Sequence, residues 1–445
     1  MRVEEALENL YRILPPGALN SVRILVFQKA WEGKGYEEIA LESGYGYDYI
    51  RTAGFQLWQV LSEALNEKVT KKNFRALILQ RVANQWTPLR IPTTDTGRIP
   101  NQLPMPLDGQ LPLDSPFYVY RPPTESLCYE ATLQPGALVR IKAASQMGKT
   151  SLLARVLAQV RQHQFHTIIL NLQLIDESVL TESSRFLQWF CAVVAQNLQL
   201  PNQFETYWND LFGASYNCTN YFESYLLTRT EHPIVLALDR VDLLFDHSSI
   251  AANFLRMLRA WYEQARYGDE RSKLWQKLRL VVVYATEVYL PLNINHSPFN
   301  AGVLIELPRF SLEQVQDLAG RYGLDNAREC AQQLMELVGG KPYLVQLALF
   351  HLQQQNGTLE QLRQTATAAN GIYSSHLWHQ LGQLQQYPEL VAALKQVVLS
   401  PTPVELNPIL AFKLHSQGLI QLQDNHAVPS CKLYRQYFAQ VLATE

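Results

Sequence analysis

The residues best suited to do chemistry lie between Ala143 and Ser151, in the run Ala-Ala-Ser-Gln-Met-Gly-Lys-Thr-Ser. An apolar segment, GALVRIKA, precedes the run, and an amphipathic one, TSLLARVLAQVRQH, follows it. A Gly-Lys-Thr between a strand and a helix has the order of a phosphate-binding loop. The backbone N–H groups of Ala143, Ala144, Ser145, Gln146, Met147 and Gly148 would turn inward around phosphate oxygens, and the helix N-terminus adds its positive dipole end. Gly148 permits close backbone approach, Lys149 reaches the β- and γ-phosphates, Thr150 offers its hydroxyl to Mg²⁺, and Ser151 closes the set. The first position of the usual G-x-x-x-x-G-K-[ST] pattern holds Ala143, which costs stability only if that residue needs φ > 0. The expected ligand is ATP or a closely similar nucleoside triphosphate, with Mg²⁺.

Further residues would complete such a site. Pro233 to Asp239, PIVLALD, reads as a buried strand ending in a carboxylate. Asp239 would sit at the strand's C-terminal edge and order the Mg²⁺ shell, so the expected metal residues are Thr150 and Asp239. Position 240 holds Arg240, which cannot act as a general base. Asp242 either positions the attacking water or pairs with Arg240, and both readings stand. The strand LRLVVVYA is followed by Thr286, a candidate sensor of the γ-phosphate or an ordinary strand-end cap. Gly339-Gly340-Lys341-Pro342 is first of all a turn between two helices.

These residues need elements to hold them. Short, continuous apolar strands (GALVRIKA, HTIILNLQL, PIVLALD, LRLVVVYA) alternating with helices argue for a parallel sheet covered on both faces. The expected fold is a multidomain α/β protein with a P-loop NTPase core. Residues 1–84 read as a helix-turn-helix domain, with an apolar stripe of Ile50, Phe55, Leu57, Trp58, Val60 and Leu61 after a Gly44/Gly46 turn. Prolines recur through 85–114, which reads as a semi-rigid linker. Residues 115–308 form the α/β domain, 309–370 a helical lid, and 371–445 helices with a short hairpin, a winged-helix pattern.

Composition bounds the alternatives. The 445 residues allow roughly two to four domains. A formal net charge of -2 does not suit a dedicated nucleic-acid coat protein. No apolar run is long enough for a membrane span. The acidic, amphipathic N-terminus is no signal peptide, so a cytoplasmic location is expected. Five scattered cysteines, none in a C-x-x-C pair, read as reduced buried thiols. The helix-turn-helix offers Tyr45, Tyr47, Asp48, Arg51 and Thr52 to a DNA groove, with Lys68, Lys71, Lys72 and Arg75 nearby. Protein docking through the same motif is the competing reading.

Together the residues resemble the STAND class of P-loop NTPases within the AAA+ superfamily, and more narrowly the AAA-like ATPase domain common in cyanobacteria. The matching stretches are SPFYVYRPP, PGALVRIKA, QMGKTSLL, the strand ending in Asp239, SPFNAGVLIELPRFS, VGGKPYLVQLAL and LYRQYF, covering roughly 115–442. The N-terminal block resembles the helix-turn-helix domain associated with vWA-MoxR proteins, through Tyr36, Ile39, Ala40, Tyr49, Arg51, Leu57, Trp58, Leu61 and the basic stretch from Lys68 to Phe74. The resemblance implies nucleotide-dependent switching in signalling or defence, with a protein partner or self-assembly. It implies phosphate and Mg²⁺ roles for Lys149, Thr150 and Asp239, adenine packing for Pro342, and a Glu where Arg240 stands. Hydrolysis is therefore expected to be slow or latent. The competing expectation is a nucleotide-controlled DNA-binding transcriptional regulator.

Overall fold

The computed structural model describes residues 21–31, 33–43, 45–65, 69–71, 73–75, 109–285, 301–354 and 357–443. The chain divides into two compact units, Met1–Leu103 and Pro104–Glu445.

The N-terminal unit holds helices α1 (Ser21–Trp31), α2 (Tyr36–Ser43) and α3 (Tyr47–Leu65). Val26, Phe27, Trp31, Ile39, Ile50, Leu57, Trp58, Leu61 and Phe74 form its core. The Trp58 indole N–H donates to the Tyr36 hydroxyl at 2.7 Å, locking α2 to α3. The expected apolar stripe needs one correction. Phe55 is 68% exposed, because it lies on the side of α3 opposite Leu57 and Leu61.

In the second unit, α4 (Thr124–Leu133) precedes β1 (Leu138–Lys142), α5 (Lys149–Arg161) and β2 (His166–Asn171). Helices α6 (Ser183–Asn197) and α7 (Ala214–Tyr221) lead to β3 (Ile234–Asp239). Helices α8 (Ser248–Gln264) and α9 (Glu270–Trp275) lead to β4 (Leu278–Tyr284), and β5 (Val303–Glu306) ends the α/β part. All five strands are parallel, in the order β2-β3-β4-β1-β5. Strands β3 and β4 are buried throughout, which explains why they read as unbroken apolar runs. Two layers cover the sheet. One face packs on Leu152, Val156, Leu157 and Val160 of α5. The other packs on the aromatic cluster of Phe186, Phe190, Phe222, Phe254 and Trp261. Strand β5 was not anticipated: it spans four residues at the sheet edge and buries only Ile305, too little for a periodic signal.

Helices α10 (Leu312–Arg321), α11 (Ala327–Val338), α12 (Pro342–Gln353) and α13 (Leu359–Gln364) follow. The chain ends with α14 (Ser374–Gln385), α15 (Pro388–Leu399), β6 (Val404–Glu405), α16 (Pro408–Ser416), β7 (Ile420–Gln423), β8 (His426–Pro429) and α17 (Lys432–Ala443). The last three strands make an antiparallel sheet in the order β6-β8-β7. All five cysteines are buried free thiols. No helix among the described residues is long and apolar enough to cross a membrane.

Most of the proline-rich stretch 85–114 lies outside the described residues. Its last part docks on α5. The Ser151 hydroxyl accepts the Leu111 N–H at 3.0 Å. The Arg155 guanidinium donates to the carbonyls of Leu111, Pro112 and Leu113. Arg155 also lies 3.5 Å from the Tyr118 ring centre.

Candidate functional site

The loop after β1 turns sharply at two residues. Gln146 has φ 63° and Gly148 has φ 90°. A Cβ on Gly148 would lie in the left-handed region and 3.3 Å from Arg121 Nη2, so glycine suits this position doubly. Ala143 keeps a negative φ, so its replacement of glycine carries no conformational cost here. Ser145 and Gln146 are exposed, and Met147 is buried.

Lys149 opens α5 and folds back over the loop. Its Nζ donates to the Ala143 carbonyl at 3.0 Å and the Ala144 carbonyl at 2.9 Å. Burial lowers its pKa to about 8, against the opposing charges of Asp242 and Asp239. The ammonium is held by carbonyl dipoles, with no carboxylate bonded to it, so a polyanion is the ligand it fits. Thr150 Oγ1 donates to Asp239 Oδ2 at 3.4 Å, bringing together the two oxygen-bearing residues expected at a Mg²⁺. Asp239 is 5% exposed. Its pKa is raised, chiefly by burial, with the Arg240 amide and charge, Thr150 and Lys149 opposing. The donor set suits a magnesium-bound nucleoside triphosphate.

The exit from β3 differs from expectation. Arg240 takes a left-handed conformation, φ 60° and ψ 44°, and its amide donates to its neighbour Asp239 Oδ1 at 3.0 Å. Its side chain is exposed. The Arg240–Asp242 pairing is replaced by another bond: Asp242 Oδ1 accepts the Ala285 N–H at 2.9 Å, tying the turn to the end of β4. Thr286 lies outside the described residues. Ser151 faces Leu111 instead of the loop interior. Pro342 is buried as the first residue of α12.

Sequence reasoning missed the residues that brace the loop. Arg121 is 2% exposed, and its Nη1 donates to the Met147 carbonyl at 2.8 Å. Glu125 accepts the Arg121 amide at 3.1 Å. From the other side, His376 Nδ1 lies 2.6 Å from Gln146 Oε1, and its Nε2 lies 2.7 Å from the Tyr434 hydroxyl. One neutral tautomer satisfies both bonds: Nδ1–H donates to Gln146, and Nε2 accepts from Tyr434. Burial, with Lys341 and His379 adding to it, lowers the His376 pKa to about 3. Lys341 donates to the Gly418 carbonyl at 2.8 Å and stands 4.7 Å from the Tyr434 ring centre. A Cβ on Gly418 would lie 2.9 Å from Ala144 Cβ, so the C-terminal sheet region abuts the loop directly. The turn that aims Lys341 depends on Gly340, whose φ is 70° and where a Cβ would strike the Phe310 carbonyl at 2.3 Å. No sequence signal links His376 to Gln146, which precedes it by 230 residues.

Residues 106–440 match the family model of the AAA-like domain. Residues 2–82 match that of the vWA-MoxR associated protein N-terminal HTH. A Walker-type ATPase of Pyrococcus abyssi superposes with a TM-score of 0.50 at 15% identity, covering 72% of this chain and 96% of that one. A STAND (signal transduction ATPase with numerous domains) protein with a tetratricopeptide repeat sensor, from Pyrococcus horikoshii, gives a TM-score of 0.32 at 14% identity, covering 77% and 44%. No curated protein matches the chain.

Proposed function

The chain belongs to the AAA-like domain family, and from that premise we propose that it is an ATP-binding regulatory switch with slow or latent hydrolysis. The observation that carries this reading is the contact from Gln146 through His376 to Tyr434. The loop expected to cradle phosphates is also the loop that the C-terminal region grips. A ligand shifts such an equilibrium by the difference in its affinity for gripped and released states.

In this reading the amides from Ala143 to Gly148, with Lys149, hold the phosphates. Thr150 and Asp239 hold Mg²⁺, which when bound would neutralise phosphate charge. Lys149 leaves its two carbonyls to reach the anion. Pro342 packs beside the base, and Thr286 senses the terminal phosphate. Arg240 cannot accept a proton from water, so hydrolysis lacks its usual base. Asp242 is an anchor for the end of β4 before it is anything else, because one of its oxygens is committed to Ala285. In this reading the switch acts in bacterial signalling or defence.

Hydrogen exchange of the full chain with and without Mg-ATP tests the proposal. Protection is expected to change both in the 143–150 loop and in α14 and α17. A change confined to the loop, or none, would sink the switch reading while leaving nucleotide binding itself open to a direct assay.

A further inference from the structure

The N-terminal unit carries a face that its own core does not use. Helix α3 buries Ile50, Ala53, Leu57, Trp58 and Leu61. Its opposite stripe presents Asp48, Arg51, Thr52 and Phe55, three and four residues apart. Phe55 is 68% exposed and Tyr49 is 55% exposed. The Tyr49 ring lies 5.6 Å from that of Tyr45, in the turn before the helix. Exposed aromatics clustered beside a single arginine have the composition of a protein contact.

We propose that this face pairs with the same face of a second copy of the chain, α3 against α3 in antiparallel sense, about a two-fold axis near Tyr49. The face is self-complementary. An isologous contact must satisfy each residue with a residue of the same patch. Asp48 and Arg51 carry opposite charges on one stripe, so antiparallel pairing sets each opposite the other residue of the second copy, twice. The register that does this also brings Phe55 towards Tyr45 of the second copy, whose ring is tilted against that of Tyr49. One alignment therefore satisfies the charges and covers the exposed ring.

Nucleic acid suits the face less well. Arg51 is the only cation on the described stripe, and Asp48 offsets it. Lys29 and Lys34, on and just after α1, both bridge Glu42, at 3.2 Å and 2.5 Å. The adjacent helix α2 exposes Glu37 and Glu38. Tight phosphate binding needs several uncommitted cations. A contact built on one helix face is small, so the association is reversible and concentration-dependent.

Sedimentation equilibrium of the full chain over a wide concentration range tests this. Wild type should show a monomer–dimer equilibrium, and Phe55→Glu should weaken it about tenfold or more. Asp48→Arg and Arg51→Asp should each do likewise through like-charge repulsion. An equimolar mixture of those two variants should associate again, because unlike chains restore both ion pairs. Circular dichroism and thermal melting check that the variants remain folded. A wild type that stays monomeric would overturn the proposal. So would a dimer indifferent to all three substitutions, or a mixture that fails to recover. Binding of a mixed-sequence duplex that falls steeply with salt and is lost in Arg51→Asp would instead assign the face to DNA.

Discussion

The loop after β1 and the exit from β3 are joined by the Thr150–Asp239 contact, yet they are built to different standards. The loop carries a left-handed glycine, a lysine held by carbonyls alone, and Arg121 bracing it from behind, which in the proposed reading serve phosphate binding. The strand exit has Asp239, the carboxylate proposed to order Mg²⁺, but follows it with an arginine in a left-handed turn. In the proposed reading affinity and turnover are separable, because they draw on different residues. Ground-state binding needs dipoles and charge. Hydrolysis also needs a positioned proton acceptor.

The sharpest way to break this contrast is to supply the missing group. Wild type is expected to bind Mg-ATP tightly and turn over very slowly. Arg240→Glu should raise the single-turnover rate, by up to about 10²–10⁴-fold if the rest of the site is competent. Fast wild-type turnover that this substitution leaves unchanged would remove the basis for calling the site latent.

The binding half can be broken at one residue. At a concentration of about a hundred times Kd, Mg-ATP should stabilise wild type by roughly 2.7 kcal/mol. Lys149→Ala should lose most of that gain in a thermal-shift assay. Undiminished stabilisation would place the nucleotide elsewhere.

Titration gives a smaller effect. Burial holds the Lys149 pKa near 8, and the phosphates bind its protonated form. Below that pH the ammonium is present and affinity is flat. Above it the charge is lost, and the Kd for Mg-ATP should rise, approaching tenfold per pH unit. Lys149→Arg, which stays charged, should flatten the profile if it still binds. Calorimetry between pH 7 and 9.5 separates these outcomes.

The smallest effect is expected at Asp242. Asparagine keeps an oxygen for the Ala285 amide and removes only the charge. Asp242→Asn should therefore melt within about 0.5 kcal/mol of wild type and hydrolyse ATP at an unchanged rate. A large drop in rate at unchanged stability would make Asp242 the group that positions water.

Legibility followed the range of the interactions. The Gly-Lys-Thr run, its flanking strand and helix, and the strand ending in Asp239 were readable because local periodicity and turn chemistry specify them. The two-helix turn near Gly46 was readable for the same reason. Phe55 was misread because its spacing of three residues from Trp58 looks, in sequence, like part of the buried stripe, although it points away from Leu57. Strand β5 escaped because one buried residue makes no pattern.

The sequence by itself determined the Gly-Lys-Thr turn between strand and helix, the replacement of the expected acid by Arg240, and the alternation of elements that makes a parallel sheet. Each follows from residue type at fixed short spacing. Only the tertiary structure decided that Ser151 serves the incoming segment at Leu111, that Asp242 anchors β4, and that His376 reaches Gln146. These are hydrogen bonds between side chains and groups far apart in the chain, satisfied because burial makes an unpaired polar group costly. Such pairings depend on which surfaces meet when the sheet closes and the C-terminal helices dock, and no local pattern encodes that meeting.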